Sequence, residues 1–161
     1  MATVVMAGKK LSAPDSVGRA LNFTASTGAA VANRLLAPHG LGLAQWAVLV
    51  SIWRNGALSV KEIAELTGNA PPAASRIVER MVQGGLLVRR TDPADRRAVV
   101  VGLSARGEAL RPLHDIYEEV NRILLAELSV EEARTLFDLL DRVQMSGRRW
   151  LGGETGDGPA E

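Results

Sequence analysis

The sequence predicts a mainly α-helical chain with one small β-hairpin, and three observations carry that prediction. Apolar residues recur at three- and four-residue spacing through most of its 161 residues, two Ser-x-x-Glu signatures open helices, and two-residue alternation is confined to about residues 86–103. With 47% hydrophobic and 23% charged residues, the chain can bury the core that a single domain of this size needs.

Residues 1–13 have no periodicity and read as a disordered N-terminus. A first helix spans about 15–38, capped by Asp15 or Ser16 and stopped by Pro38 and Gly40. Its interior is rich in Ala, Gly, Ser and Thr, small side chains that let a partner backbone approach or wall a cavity. The second helix, 44–54, carries Trp46, Leu49, Val50 and Trp53 at i, i+3, i+4 and i+7, a core-facing stripe. Ser59-Val60-Lys61-Glu62 is a capping box, in which the serine oxygen accepts from the Glu62 amide and the glutamate reaches back to the serine amide. It opens a short helix, 60–67, with Ile63 and Leu66 directed inward and Gly68 supplying the left-handed stop. Pro71 suits the first position of the next helix, 71–83, because its missing N–H has no partner there in any case. Ala74, Ile77, Val78 and Met81 form its inner side, while Pro72, Ser75, Arg76, Glu79, Arg80 and Gln83 face out.

Gly84-Gly85 ends that helix, and strand-like stretches follow at 86–91 and 98–103, with Val99, Val101 and Leu103 pointing inward and the segment 92–97 as the turn. Ser104 caps a long helix to about Leu128, bent at Pro112, with Leu113, Ile116, Val120, Ile123 and Leu124 at helical spacing. Ser129-Val130-Glu131-Glu132 is a second capping box, opening a last helix striped by Leu136, Leu139, Leu140 and Val143. Residues 152–161 form a Gly-rich acidic tail read as disordered. A single unit, 14–151, therefore holds a winged helix-turn-helix at about 43–103, flanked by helices at about 15–38 and 104–151.

In that arrangement helix 60–67 crosses a DNA backbone, helix 71–83 enters the major groove and the hairpin reaches outward as the wing. Only a helix with a polar, arginine-bearing outer face can exchange water for base edges and phosphates, which selects Ser75, Arg76, Arg80 and Gln83. The hairpin tip brings Asp95, Arg96 and Arg97, a basic point suited to a narrow minor groove or to phosphate. Charge is distributed accordingly: residues 71–111 carry eight Lys/Arg against four Asp/Glu, and residues 112–161 carry five against eleven. One surface is built to meet a polyanion and another to stay away from it.

The segment Asp95-Arg96-Arg97-Ala98-Val99-Val100-Val101-Gly102-Leu103-Ser104-Ala105-Arg106-Gly107 resembles the wing signature of the MarR family of bacterial transcriptional regulators. Leu41 to Leu49, with Gln45-Trp46, and Leu58 to Ala64 resemble two further segments of that family, and the resemblance extends over roughly 15–151. It implies a homodimer whose N- and C-terminal helices interleave as a dimerisation base, with two winged lobes on a palindromic operator in double-stranded DNA. It implies that Arg97 enters the minor groove with Asp95 pairing to it, and that repression is the commoner mode. Family members often release DNA when a small, frequently aromatic or phenolic, acid fills the crease between base and lobe. Phe23, His39, Trp46, Trp53 and His114 are the candidates to line such an effector site. The start of the recognition helix departs from the family's Ser/Thr-rich pattern with Ala70, Pro72, Ala73 and Ala74, shifting discrimination toward thymine methyls, Ser75, Arg76 and DNA shape.

Other classes find less support. The chain has no cysteine, which removes disulfides, thiolate nucleophiles, cysteine-ligated zinc and the peroxide-sensing branch of the family. His39 and His114 with scattered carboxylates make no metal site, neither histidine has a catalytic partner, and no Gly-rich phosphate loop follows a strand, so neither enzyme activity nor a cofactor is expected. No apolar run approaches the ~20 residues of a membrane span, and the apolar start, Met1 to Ala7, is too short for a signal peptide. A cytoplasmic location without membrane association is expected. The competing class is a winged helix used for protein contact without specific DNA binding.

Overall fold

The computed structural model describes residues 16–92, 95 and 97–153. Residues 1–13, Arg96 at the hairpin tip and positions 154–161 of the tail lie outside the described residues. Helix α1 spans Val17–Leu36, α2 Leu43–Asn55, α3 Val60–Thr67 and α4 Pro71–Gln83; strands β1 (Leu87–Thr91) and β2 (Val99–Leu103) follow, then α5 (Ala105–Ala109), α6 (Ile116–Leu124) and α7 (Val130–Gly153). Contacts divide the chain between Val120 and Asn121 into two units.

The first unit is assembled by local signals that agree with its core. Ser16 caps α1 by accepting from the Arg19 N–H, and the Gln45 side chain accepts from the Gly42 N–H at 3.0 Å to close the start of α2. At α3 the Ser59 hydroxyl accepts from the Glu62 N–H (3.2 Å) and Glu62 Oε2 accepts from the Ser59 N–H (2.7 Å). Hydrogen bonds from the Ser59 hydroxyl and then its backbone N–H hold the Glu62 carboxyl below its ordinary pKa. Gly68, at φ 67°, reverses the chain in the left-handed region and lets the Asn69 N–H reach the Ala64 carbonyl.

Leu36, Val48, Leu49, Ile63, Val78, Met81, Leu87 and Val101 are completely or almost completely buried and draw α1, α2, α3, α4 and the hairpin onto one core. Each large aliphatic side chain so buried contributes about 1.5–3 kcal/mol. The strands are antiparallel, registered from Leu87 opposite Leu103 to Thr91 opposite Val99, and Leu58 bridges to Val101 to pin the chain before α3 to the hairpin.

Three expectations are corrected. Leu66 is 55% exposed, because two-turn α3 meets its neighbours through Ile63 and Ala64 and leaves Leu66 on a groove beside Val50 and Tyr117. Val99 is 54% exposed whereas Val100 and Val101 are both buried. Val99 shares a face with Val101 but lies about 7 Å nearer the tip, past the helices that cover Val101. The helix expected over 104–128 is broken into α5, a 3-10 turn at Arg111–Asp115 and α6. Pro112 has no N–H for the Glu108 carbonyl, and its ring crowds that carbonyl, so the helix breaks instead of bending.

The second unit comprises the last residues of α6 and the long helix α7. Ser129 and Glu132 repeat the capping box at 2.8–3.3 Å, and the backbone N–H of Ser129 followed by its hydroxyl lowers the Glu132 pKa. The expected stripe of α7 is uncovered: Leu136, Leu139, Leu140 and Val143 are 36–47% exposed.

Candidate nucleic-acid interface

Helix α4 separates its two faces cleanly. Ala74, Val78 and Met81 are fully buried and Ile77 nearly so, which fixes the helix in rotation; Ser75, Arg76, Glu79, Arg80 and Gln83 are all exposed. Arg76, Glu79, Arg80 and Gln83 surround one open hollow on the outer face. Neither arginine holds an ion pair among the described residues, unlike Lys61 with Glu65 or Arg111 with Glu108. Two uncommitted guanidinium groups one turn apart are free to exchange water for phosphate or base acceptors.

The start of α4 works against amide contacts to phosphate. Pro71 and Pro72 have no N–H, and the N–H groups of Ala73 and Ala74 both donate to the Ala70 carbonyl. This end of the helix has spent or deleted the donors that helix N-termini commonly offer to phosphate, so recognition falls to side chains.

At the hairpin tip Asp95 Oδ1 accepts from the Arg97 backbone N–H at 2.9 Å. This contact is to the backbone and not to the guanidinium that Asp95 was expected to orient: Asp95 shapes the turn, while the exposed Arg97 guanidinium has no partner among the described residues. Arg89 and Arg90 are exposed on β1 behind it.

The MarR family model matches residues 39–98, the stretch from the end of α1 to the hairpin turn. The uncharacterized HTH-type transcriptional regulator YwoH of Bacillus subtilis is 32% identical over 101 residues, 63% of this chain and 69% of the relative. The chain belongs to the MarR family. The multiple antibiotic resistance protein MarR of Escherichia coli is 27% identical over 129 residues, 79% of this chain and 90% of that protein. A mutant MarR crystallised with operator DNA superposes with a TM-score of 0.75 at 25% identity, covering 84% of this chain and 99% of that one. A structure of Bordetella bronchiseptica BpsR, whose DNA binding is regulated by 6-hydroxynicotinic acid, gives a TM-score of 0.75 at 25% identity and covers 83% and 96%. This chain is therefore a DNA-binding transcriptional regulator of the MarR type.

The geometry explains why MarR-like segments hold the residues they do. Gln45 caps α2, and Trp46 Nε1 donates to the Leu113 carbonyl at 2.7 Å, tying α2 to the turn before α6. Ser104 and Gly107 meet at the foot of the wing, where any Cβ on residue 107 would collide with the Leu86 carbonyl oxygen.

The five candidate effector residues do not form one group. Trp53 and His114 come together, their rings meeting edge-on at 6.3 Å with Tyr117 6.5 Å beyond His114, whereas Trp46 makes no ring contact with either and its indole N–H reaches only the Leu113 carbonyl among the described residues. Arg54 Nε donates to His114 Nε2 at 3.1 Å, and His114 Nδ1 lies 2.6 Å from Asp115 Oδ1. Trp53 is buried, and its indole N–H has no partner among the described residues. Phe23 instead lies exposed under the Arg19 guanidinium, and His39 sits exposed in the turn after α1. Beside Trp46 lies an apolar cleft of about 220 Å³, walled by Gly28, Ala32 and Leu36 of α1, Leu43 of α2, and Ile116, Tyr117 and Val120 of α6. The small-residue run of α1 signalled this opening; Gly28, Ala32 and Tyr117 were not singled out from the sequence.

Proposed function

We propose that the protein is a homodimeric repressor that reads a palindromic operator with α4 and the β1–β2 tip and releases it when a small molecule occupies the cleft beside α1 and α2. The observation that carries the reading is α4: an inner face locked in the core beneath an outer face with uncommitted Arg76 and Arg80. Ser75 and Gln83 on that face, with Asp95 and Arg97 at the tip, complete the proposed contact set, and Arg96 belongs to it by sequence position. The operator complex of E. coli MarR and the regulation of BpsR by an aromatic acid support operator binding and ligand release respectively. A second copy is supported by the uncovered apolar stripe of α7, since a single chain leaves those leucines in water.

The test is an anisotropy titration of the full chain against duplex from its own upstream intergenic region and against a scrambled duplex, at several salt concentrations. Preference for the native duplex, with a log–log salt slope of several units, is expected from Lys/Arg–phosphate contacts. Equal, salt-insensitive affinities for both duplexes would overturn the assignment in favour of protein contact.

A further inference from the structure

Three successive carbonyls leave the end of α4, those of Gly84, Gly85 and Leu86, and one short segment, Ser104 to Gly107, holds all three. Arg106 Nη1 donates to the Gly84 carbonyl at 2.9 Å. The Ser104 hydroxyl lies 2.6 Å from the Gly85 carbonyl oxygen and 3.0 Å from that of Leu86, which also accepts from the Ser104 N–H. The Gly107 N–H returns to the Ser104 hydroxyl at 3.0 Å, and the bare Cα of Gly107 lets the Leu86 carbonyl pack against it.

Within this grip Arg106 differs from its neighbours. Ser104 and Gly107 are enclosed and tied into the wing, so their replacement disturbs the fold itself. Arg106 is exposed, adds a single bond, and has no ion pair among the described residues. Its target is a carbonyl just past the last residue of α4, where the helix leaves acceptors unpaired and where a cation is favoured by the helix dipole. A 13-residue helix is roughly 20 Å long, so a tilt of about 5° at one end moves the other by nearly 2 Å, beyond the tolerance of a hydrogen bond to a base edge.

We propose that Arg106 is a positioning residue for operator recognition: by holding the Gly84 carbonyl it fixes the tilt of α4 relative to the wing and α5, and it acts on DNA only through α4. The proposal rests on the DNA-binding reading above and adds a residue outside the proposed contact surface. The alternative for an exposed arginine beside a wing is a direct phosphate contact, and the two differ in salt dependence.

Wild type, Arg106→Ala and Arg106→Lys are compared on the native and scrambled duplexes over a salt series, with amide hydrogen exchange on the free proteins. The positioning role predicts that Arg106→Ala weakens native-duplex binding about fivefold, as expected for a charged cap of about 1 kcal/mol, while scrambled-duplex affinity and both salt slopes stay unchanged. Arg106→Lys, which keeps a cationic donor at the end of α4, is expected to restore most of the loss. In the free protein Arg106→Ala also speeds exchange at the Gly84, Gly85 and Leu86 amides, which bond back to Arg80, Val82 and Met81. Equal weakening on both duplexes with a slope reduced by about 0.9 would identify a phosphate contact and overturn the proposal. Unchanged exchange at those amides would also overturn it. If wild type prefers neither duplex, the regulator reading fails by itself, and the exchange measurement still decides whether Arg106 restrains α4.

Discussion

Helices α4 and α7 carry apolar stripes of similar spacing and end in opposite situations. Ala74, Ile77, Val78 and Met81 disappear into the first unit, whereas Leu136, Leu139, Leu140 and Val143 of α7 remain substantially exposed. Periodicity therefore says that a helix has an apolar face, and says nothing about which surface covers it. For α4 the cover lies within the chain, and the consequence is a rigid platform that points its arginines outward. For α7 the proposed cover is a second copy.

The largest effect that sharpens this contrast comes from the buried side. Met81→Ala is expected to cost about 2–5 kcal/mol in a urea titration, at every protein concentration. Leu139→Ala removes a comparable side chain from α7, yet its cost should appear only where chains associate, as a loss of the concentration dependence of Tm. Equal, concentration-independent losses would erase the distinction between the helices.

Contacts to DNA come next. Arg76→Ala should reduce discrimination at one base pair by about 1–3 kcal/mol if its guanidinium reads a base, measured by competition with single-site operator variants. Arg97→Ala should weaken native and scrambled duplexes alike and reduce the salt slope by about 0.9 per lost phosphate contact. An unchanged affinity at physiological salt would remove Arg97 from the interface.

The smallest effects concern the two capping boxes. Ser59→Ala should cost about 1 kcal/mol in thermal melts through loss of the cap on α3. Both Glu62 and Glu132 have folded pKa values lowered from 4.5 by their serine partners, so each contributes stability above that value and loses it as pH falls through its lower, folded value. Tm should thus decline on acidification, and the decline should be shallower in a Glu62→Gln, Glu132→Gln double variant. An identical acid profile would show that these carboxylates do not matter to stability.

Much of the fold was legible because the decisive signals are local. Ser59 and Glu62, Ser129 and Glu132, Gly68 and Pro71 each act on a backbone within a few residues, and each does so in the structure as its spacing requires. Both faces of α4 followed from one period. The misplaced residues lie where tertiary extent decides: Leu66 and Val99 keep the right spacing but reach past the edge of what covers their neighbours. A proline can bend or break a helix, and residue types alone did not choose between these at Pro112. The cleft required knowing that Gly28 and Ala32 of α1 face Ile116 and Tyr117, more than eighty positions away. Phe23 and His39 were grouped with Trp46 by chemistry alone, and chemistry does not determine distance.

The most direct test of the central claim, that α4 and the wing are the DNA-reading surface, is amide hydrogen exchange of the full chain with and without its native upstream duplex, at fixed protein concentration. New protection is expected in residues 71–83 and around the hairpin turn, with residues 130–153 unchanged by DNA. Protection confined to α7, or none on α4 under saturating duplex, would contradict that claim.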